Sequence, residues 1–362
     1  MKLDLDVPIP DGAEERAHRV AMAAFAAHRP AQRRRAYWKP AIAVAAVAVA
    51  AGVLASPPGR SVINSIRQAV GVENAQRELF SFPSSGRILV QSGQGPWVVD
   101  ASGSRRLLGR YREASWSPFG RFVVGSRANE VVALDPSGNV HWTLARPGAR
   151  SARWGGLRAN TRLAYVADDG LHVVAGDGTG DRLLVPGATG PFAWQSRSLS
   201  KLAYVTGSEV RFEDTDTGDV LWRANRGSSE PVERIAWSAS GSELLVVSAH
   251  AIRVFDSGGK LVTRADGSTL DATFVGGSDE IAVLRTNGNV IVLGVPGVIF
   301  RASGLGQIVS APDGRWLLLT WPAANQWVFV RAHGTHVIHA YSGVARQFGG
   351  GSFPTISGWV GK

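Results

Sequence analysis

The chain contains no cysteine. That excludes disulfides, thiolate metal sites and a thiol nucleophile, and it leaves the redox compartment open. Charge is sparse too: Asp, Glu, Lys and Arg make up only 19% of the 362 residues. So low a share argues against a disordered chain or a charged helical bundle. No Gly-x-Ser-x-Gly stretch is present, which counts against a nucleophile elbow. No glycine-rich loop follows a strand and opens a helix, so Gly176-x-Gly178-x-Gly180 reads as a loop and not as a phosphate cradle. Nor is there a basic element of the kind a nucleic-acid reader carries. The net charge of +10 includes eight Lys/Arg against five Asp/Glu in residues 1–40, and the rest is scattered singly. Such scatter is solvated surface, and no nucleic-acid partner is expected.

Glycine is abundant, with 43 residues, and much of it punctuates a repeat. Trp116 to Leu144 contains a turn (Ser117, Pro118, Gly120), two short alternating strands, a second turn (Asp135-Pro-Ser-Gly138) and a third strand, Val140-His-Trp-Thr-Leu144. Pro presets φ and Gly accepts positive φ in such turns. The β-branched and aromatic residues between them favour a pleated surface. The position of Trp116 recurs as Phe82, Trp116, Trp154, Trp194, Trp237, Phe274, Ser310 and Trp359, at spacings of 34, 38, 40, 43, 37, 36 and 49. A period near 40 with about four strands is the signature of a propeller blade. The expectation is therefore an all-β, seven-bladed propeller, with six or eight blades as alternatives. Phe353 to Trp359 would return to the first blade and close the ring, because open sheet edges invite aggregation. The marker tryptophans are read as core, wedged between blades with their indole N–H groups bonded nearby.

WSPFGRFVV, WSASGSELLVV and APDGRWLLL resemble WD40-like and TolB-like repeats. The stretches around Leu134-Asp135 to Trp142 and Asp214 to Trp222 resemble the repeat of pyrroloquinoline-quinone-type propellers. The resemblances cover roughly residues 79–362. They imply a fold and no single activity, since propellers host many functions.

Ahead of the repeats, a helix is expected from Asp11, its cap, to Arg29-Pro30, with Val20, Ala23, Ala24 and Ala27 on one face. Residues 1–36 form this tail. Residues 37–58 are read as a transmembrane signal-anchor around the uncharged run Ala41–Ala55, which is short against the roughly 20 residues of a full span. Tyr37, Trp38 and Ser56-Pro57-Pro58 extend it into the interfaces. Arg33, Arg34, Arg35 and Lys39 precede the run, and only Arg60 and Arg67 follow within 20 residues. The positive-inside rule then places the N-terminus in the cytoplasm and the propeller outside. Cleavage after Val53-Leu54-Ala55 is an alternative, as is a cytosolic chain with a buried Ala-rich helix. Residues 59–78 carry an amphipathic stretch with Val62, Ile63, Ile66, Ala69 and Val70 on one stripe. Such an assembly resembles WD40-like membrane proteins of high-GC Gram-positive bacteria.

No catalytic constellation stands out, and no metal or cofactor is expected. His333, His336 and His339 lie in a strand-like context, where His336 points away from the other two, so they do not share one metal. Asp168-Asp169-Gly170 and Asp177-Gly178 are read as turns that use Asp and Gly for their backbone conformation. The expected function is a non-catalytic, membrane-anchored scaffold that binds a protein or an envelope polymer. One alternative is an anti-sigma-like transmembrane regulator acting through helix 11–29, although the His-x-x-x-Cys-x-x-Cys motif common in such domains is missing. The other is a quinone-dependent oxidoreductase or a hydrolase at the funnel. Acidic or His clusters at the ring centre favour this enzyme reading, and an apolar or Arg-lined funnel opposes it.

Overall fold

The computed structural model describes residues 81–228, 230–334 and 337–361. The tail helix, the apolar run 41–55, the stripe 61–70 and the orienting residues Arg33, Arg34, Arg35 and Lys39 lie outside the described residues, as does the proposed domain start at 79. Among the described residues no helix is long and apolar enough to cross a membrane.

Seven four-stranded antiparallel sheets make seven blades. Within each blade we name the strands a to d from the centre outward. The seven a strands neighbour one another in a closed ring. They are Thr355–Val360 in blade 1, Glu113–Trp116 in blade 2, Arg150–Leu157 in blade 3, Phe192–Trp194 in blade 4, Val232–Trp237 in blade 5, Thr269–Phe274 in blade 6 and Ile308–Ser310 in blade 7. The lower face carries the a–b and c–d turns. The upper face carries the b–c turns and the d–a connections.

Ring closure follows the expected route. The last strand, Thr355–Val360, pairs with Arg87–Ser92, the b strand of blade 1, in the register Arg87↔Val360 and Ile88↔Trp359. The C-terminus thus supplies the innermost strand of a blade whose other three strands come first in the chain. Turns explain why so much glycine is needed. Gly95 turns from b to c in blade 1 at φ +127°, and a Cβ there would sit on the carbonyl of Gly109.

The markers Trp116, Trp154, Trp194, Trp237, Phe274 and Ser310 all sit toward the lower ends of a strands. Trp359 holds the same place in blade 1. Phe82 does not. It precedes the first strand and stacks edge-on against Trp359, with ring centroids 5.5 Å apart. Eight markers therefore describe seven blades, because the first and the last meet in one blade. The long final interval holds the connection between blades 7 and 1, including a short helix, α1 (Val344–Gln347).

Each marker packs against the preceding blade. Trp194 lies over Gly155 so closely that a Cβ on that glycine would overlap the indole. The expectation for the indole N–H groups needs correcting. Trp194 donates to the Arg153 carbonyl (3.1 Å) and Trp359 to the Ser85 carbonyl (3.3 Å). Those of Trp116, Trp154 and Trp237 are buried without a partner among the described protein atoms. Wedge packing sets the ring orientation, and only two of these five N–H groups land opposite a carbonyl.

Candidate functional site

The a strands bring a set of polar side chains to the ring centre. One position recurs: the residue three before each marker. It is Glu113, Ser151, Arg234, Asp271 and Gln307 in blades 2, 3, 5, 6 and 7. Each reaches the a strand of the next blade or is reached from the one before. Glu113 Oε1 accepts from the Ser151 N–H of blade 3 and from Ser126 Oγ (2.9 Å). Ser151 holds a positive φ of 55° where the register of its strand shifts, a conformation costing about 1–3 kcal/mol outside glycine. Arg234 Nε lies 3.2 Å from Asp271 Oδ1 of blade 6. Asp271 Oδ2 accepts from the Ile308 N–H of blade 7 (3.0 Å), and Gln307 Oε1 from the Ile356 N–H of blade 1 (2.9 Å).

Burial pushes the Asp271 carboxyl above its ordinary range, with Arg234 and the two backbone N–H groups opposing. Arg153 of blade 3 is exposed to solvent along the channel, yet the ring surrounds its guanidinium. Desolvation lowers its pKa, with Glu113 opposing and Arg234 adding to the effect. Its one side-chain hydrogen bond runs from Nη1 to the Ala152 carbonyl (2.9 Å). The funnel is therefore neither an acidic cluster nor an arginine lining. It mixes both signs, and the carboxylates of Glu113 and Asp271 already accept from backbone N–H groups of a neighbouring blade. Glu113 Oε1 and both oxygens of Asp271 are thus taken up in tying adjacent blades together.

A second network lies at the seam of blades 2 and 3. Arg146 donates through Nε to Asp181 Oδ2 (2.7 Å) and to the Tyr165 hydroxyl (3.0 Å), and its Nη2 also meets Asp181. Tyr165 donates to Asp181 Oδ1 (2.6 Å). His172 is buried under the Tyr165 ring, with centroids 5.2 Å apart, and its Nε2 bonds Asp169 Oδ1 (2.7 Å). Its Nδ1 stands 3.6 Å from Asp181 Oδ1. Burial and the bond to Asp181 raise the Tyr165 hydroxyl well above its usual range, which keeps it neutral. Asp169 is thus more than a turn former: it anchors a buried imidazole.

The three histidines do not share a strand. His333 follows the c strand of blade 7, Gln326–Arg331, in the c–d turn; His339 lies in the d strand, Ile338–Ser342; and His336 is outside the described residues. The Gly334 turn, with φ +80°, breaks the strand that the flanking valines suggested. His333 Nε2 pairs instead with Glu280 of blade 6 (3.0 Å). His339 packs edge-on against Trp316, and burial followed by Arg331 lowers its pKa. No group of His, Cys, Asp or Glu among the described residues has metal-holding geometry.

The other turn aspartates do act on their own backbones. Asp135 Oδ1 accepts from the Ser137 and Asn139 N–H groups, Asp177 from Thr179, Asp214 from Asp216, and Asp256 from Gly258 and Lys260. Trp142 and Trp222, in the d strands of blades 2 and 4, carry hydrogen bonds across seams. Trp142 donates to the Gly176 carbonyl of the next blade (2.9 Å) and Trp222 to that of Ser257 (3.0 Å).

No protein-family profile matches the chain, and no curated protein does. Solved structures do. Hsv2 of Kluyvelomyces marxianus is 13% identical with a TM-score of 0.51, over 68% of this chain and 93% of that one. The C-terminal WD40 domain of Sif2 is 14% identical with a TM-score of 0.53, over 72% and 83%. A chain of a mitotic checkpoint complex is 12% identical with a TM-score of 0.50, over 63% and 79%. At these identities the likeness shows the fold, a WD40-type β-propeller.

Proposed function

We propose that the chain is a membrane-anchored, non-catalytic propeller that binds a protein or an envelope polymer, with its N-terminus in the cytoplasm and the ring on the other side. One observation carries the binding reading. The central carboxylates Glu113 and Asp271 are engaged in holding adjacent blades together, so the ring is a rigid platform whose free side chains lie on its faces. Loops on a rigid scaffold are where recognition is usually placed, and two of the similar structures are WD40 propellers or sit in a named complex. The anchor reading is supported by the apolar run 41–55 and the basic residues that precede it.

The test is cross-linking in intact cells on the full-length membrane protein, with mass spectrometry locating the linked residues. Partners attached beyond residue 80 are expected. Partners attached only within residues 1–35 would overturn the scaffold reading in favour of a regulator working through helix 11–29. Turnover of an envelope substrate by the purified chain, lost on substitution of a ring-centre residue, would overturn the non-catalytic reading.

A further inference from the structure

We propose that the lower face of the ring rests on a lipid bilayer through an apolar outer rim, leaving the upper face to the partner. This inference rests on the anchored reading above and adds an orientation to it.

Most of the exposed large apolar side chains lie toward one face; Leu270, at the start of the blade 6 a strand, lies toward the other, and Leu107 and Leu183 lie along d strands. Val140, Val220, Leu221, Leu261 and Val262 all lie where d strands leave the c–d turns of blades 2, 4 and 5, and Phe119 lies in an a–b turn of blade 2. These are lower-face positions. Val140 is 56% exposed and Val262 46%, so they belong to no core. A shared local device puts them there. In each of the three blades the register between c and d shifts at the same place, opposite Ala133/Leu134, Phe212/Glu213 and Val254/Phe255. A bulge adds one residue to the d strand and re-aims its side chains. In blades 4 and 5 the residue added is Leu221 or Val262. The bond from Trp222 to the Ser257 carbonyl holds these two rims side by side. Singly exposed apolar residues are ordinary, whereas a run of them along one rim marks a contact surface.

The first described residues meet the ring at this same face. Phe82 donates its N–H to the carbonyl of Ala101, just past the c strand of blade 1 (3.2 Å), and Ser84 Oγ donates to Asp313 in the a–b turn of blade 7 (3.0 Å). Upstream of that entry lies the apolar run 41–55. A bilayer is therefore the apolar partner delivered to the lower face. Charges of both signs lie on the face: Asp100, Asp135, Asp214 and Asp256 cap their own turns, Asp216 pairs with Arg162 across a seam, and Arg105, Arg121 and Lys260 lie in or next to the same sets of turns. Contact should then be apolar and insensitive to salt, because screening acts on charge pairs.

The absence of cysteine makes the test clean. Single variants Leu221→Cys and Val262→Cys on the lower rim, and Asn129→Cys and Ser208→Cys in upper-face b–c turns, are labelled with an environment-sensitive fluorophore. The full-length protein is reconstituted into phosphatidylcholine–phosphatidylglycerol vesicles containing a doxyl-lipid quencher. Lower-rim labels are expected to shift to the blue and to be quenched at low and high salt alike, with upper-face labels unchanged. Labels equally wet on both faces, in chains that stay with the vesicles through an alkaline wash, would overturn the orientation and leave the anchor standing. Lower-rim labels that shift without lipid quenching and cross-link between copies would assign the rim to a second copy of the chain, against this proposal. Chains removed by the wash would defeat the anchor itself, and the orientation with it.

Discussion

The seam between blades 7 and 1 and the seam between blades 2 and 3 solve the same problem with different chemistry. At the first, Phe82, Phe329 and Trp359 meet at ring centroid distances of 5.5 to 6.0 Å, and Phe329 also packs edge-on against Tyr341. Trp316, Trp327, Val344 and Phe348 belong to the same buried cluster. At the second, Trp154 packs against Phe122 and Trp142 of blade 2 (ring centroids 5.8 and 6.2 Å), and the polar network of Arg146, Tyr165, Asp181 and His172 is added to this wedge. The difference follows from chain connectivity. Blades 2 and 3 are joined covalently by the d–a connection at Arg146, so their seam needs only to be oriented. Blade 7 also runs into blade 1 through a d–a connection, but that connection is the longer stretch 343–354, and blade 1 has no a–b turn: its innermost strand meets its other three by pairing alone. Non-directional apolar burial is what gathers ends that no short loop brings together.

The sharpest way to break this comparison is to unload the closing wedge. Trp359→Ala should cost about 3–5 kcal/mol, the range for a large aromatic removed from a core. Trp237→Ala, between two blades that each take all four strands from one stretch of chain, should cost less. Trp237 has one close aromatic neighbour, Phe212, at 4.9 Å, whereas Trp359 has two, and each pair contributes about 0.5–1.5 kcal/mol beyond area. Chemical denaturation of the two variants checks the order. Equal losses would show that closure needs no special reinforcement.

Overpacking tests an ordinary seam from the other side. The Cβ of Gly155→Ala would overlap Cγ of Trp194, and no backbone strain is involved because Gly155 is not at positive φ. The expected loss is about 1–3 kcal/mol. Gly155→Ala combined with Trp194→Phe should recover part of it if the clash with the indole is the cause. Thermal unfolding of the single and double variants reads this directly, and no recovery would place the strain elsewhere.

The ring was legible in the sequence because its wedge is large and periodic: Trp116, Trp154, Trp194 and Trp237 announce blade after blade, and Phe353 to Trp359 announces the returning strand. Phe82 misled because it is an aromatic at nearly the right spacing that serves the same wedge as Trp359 instead of a blade of its own. The stitches three residues before each marker were hidden for a different reason. Glu113, Ser151, Arg234, Asp271 and Gln307 share a place and no chemistry, so composition does not align them; only the ring geometry shows that each reaches the next a strand or is reached from the one before. Counting back from the markers was the available signal. His172 left no signal, since its bond to Asp169 spans a hairpin turn that looked self-sufficient.

The smallest effect separates the centre from the rim by pH. Asp135 on the lower rim is held below its ordinary pKa, chiefly by the Asn139 side chain. The stability it contributes is present above the ordinary carboxylate range and is lost as pH falls through its depressed folded value. Asp271 at the centre has the opposite sign, because burial raises its folded pKa above the ordinary 3.8. Between those two values the folded chain binds more protons than the unfolded chain, so its contribution falls as pH rises through the raised folded value. Asp271→Asn keeps an oxygen for the Ile308 N–H while removing the titration. Its cost relative to the native chain should therefore grow as pH drops from neutrality toward 4, where the native carboxyl is relieved by protonation and the amide is not. Denaturation midpoints taken across that range check it. A cost that shrinks on acidification would mean that Arg234 outweighs burial and that the central carboxylate is an ordinary paired anion, as on the rim.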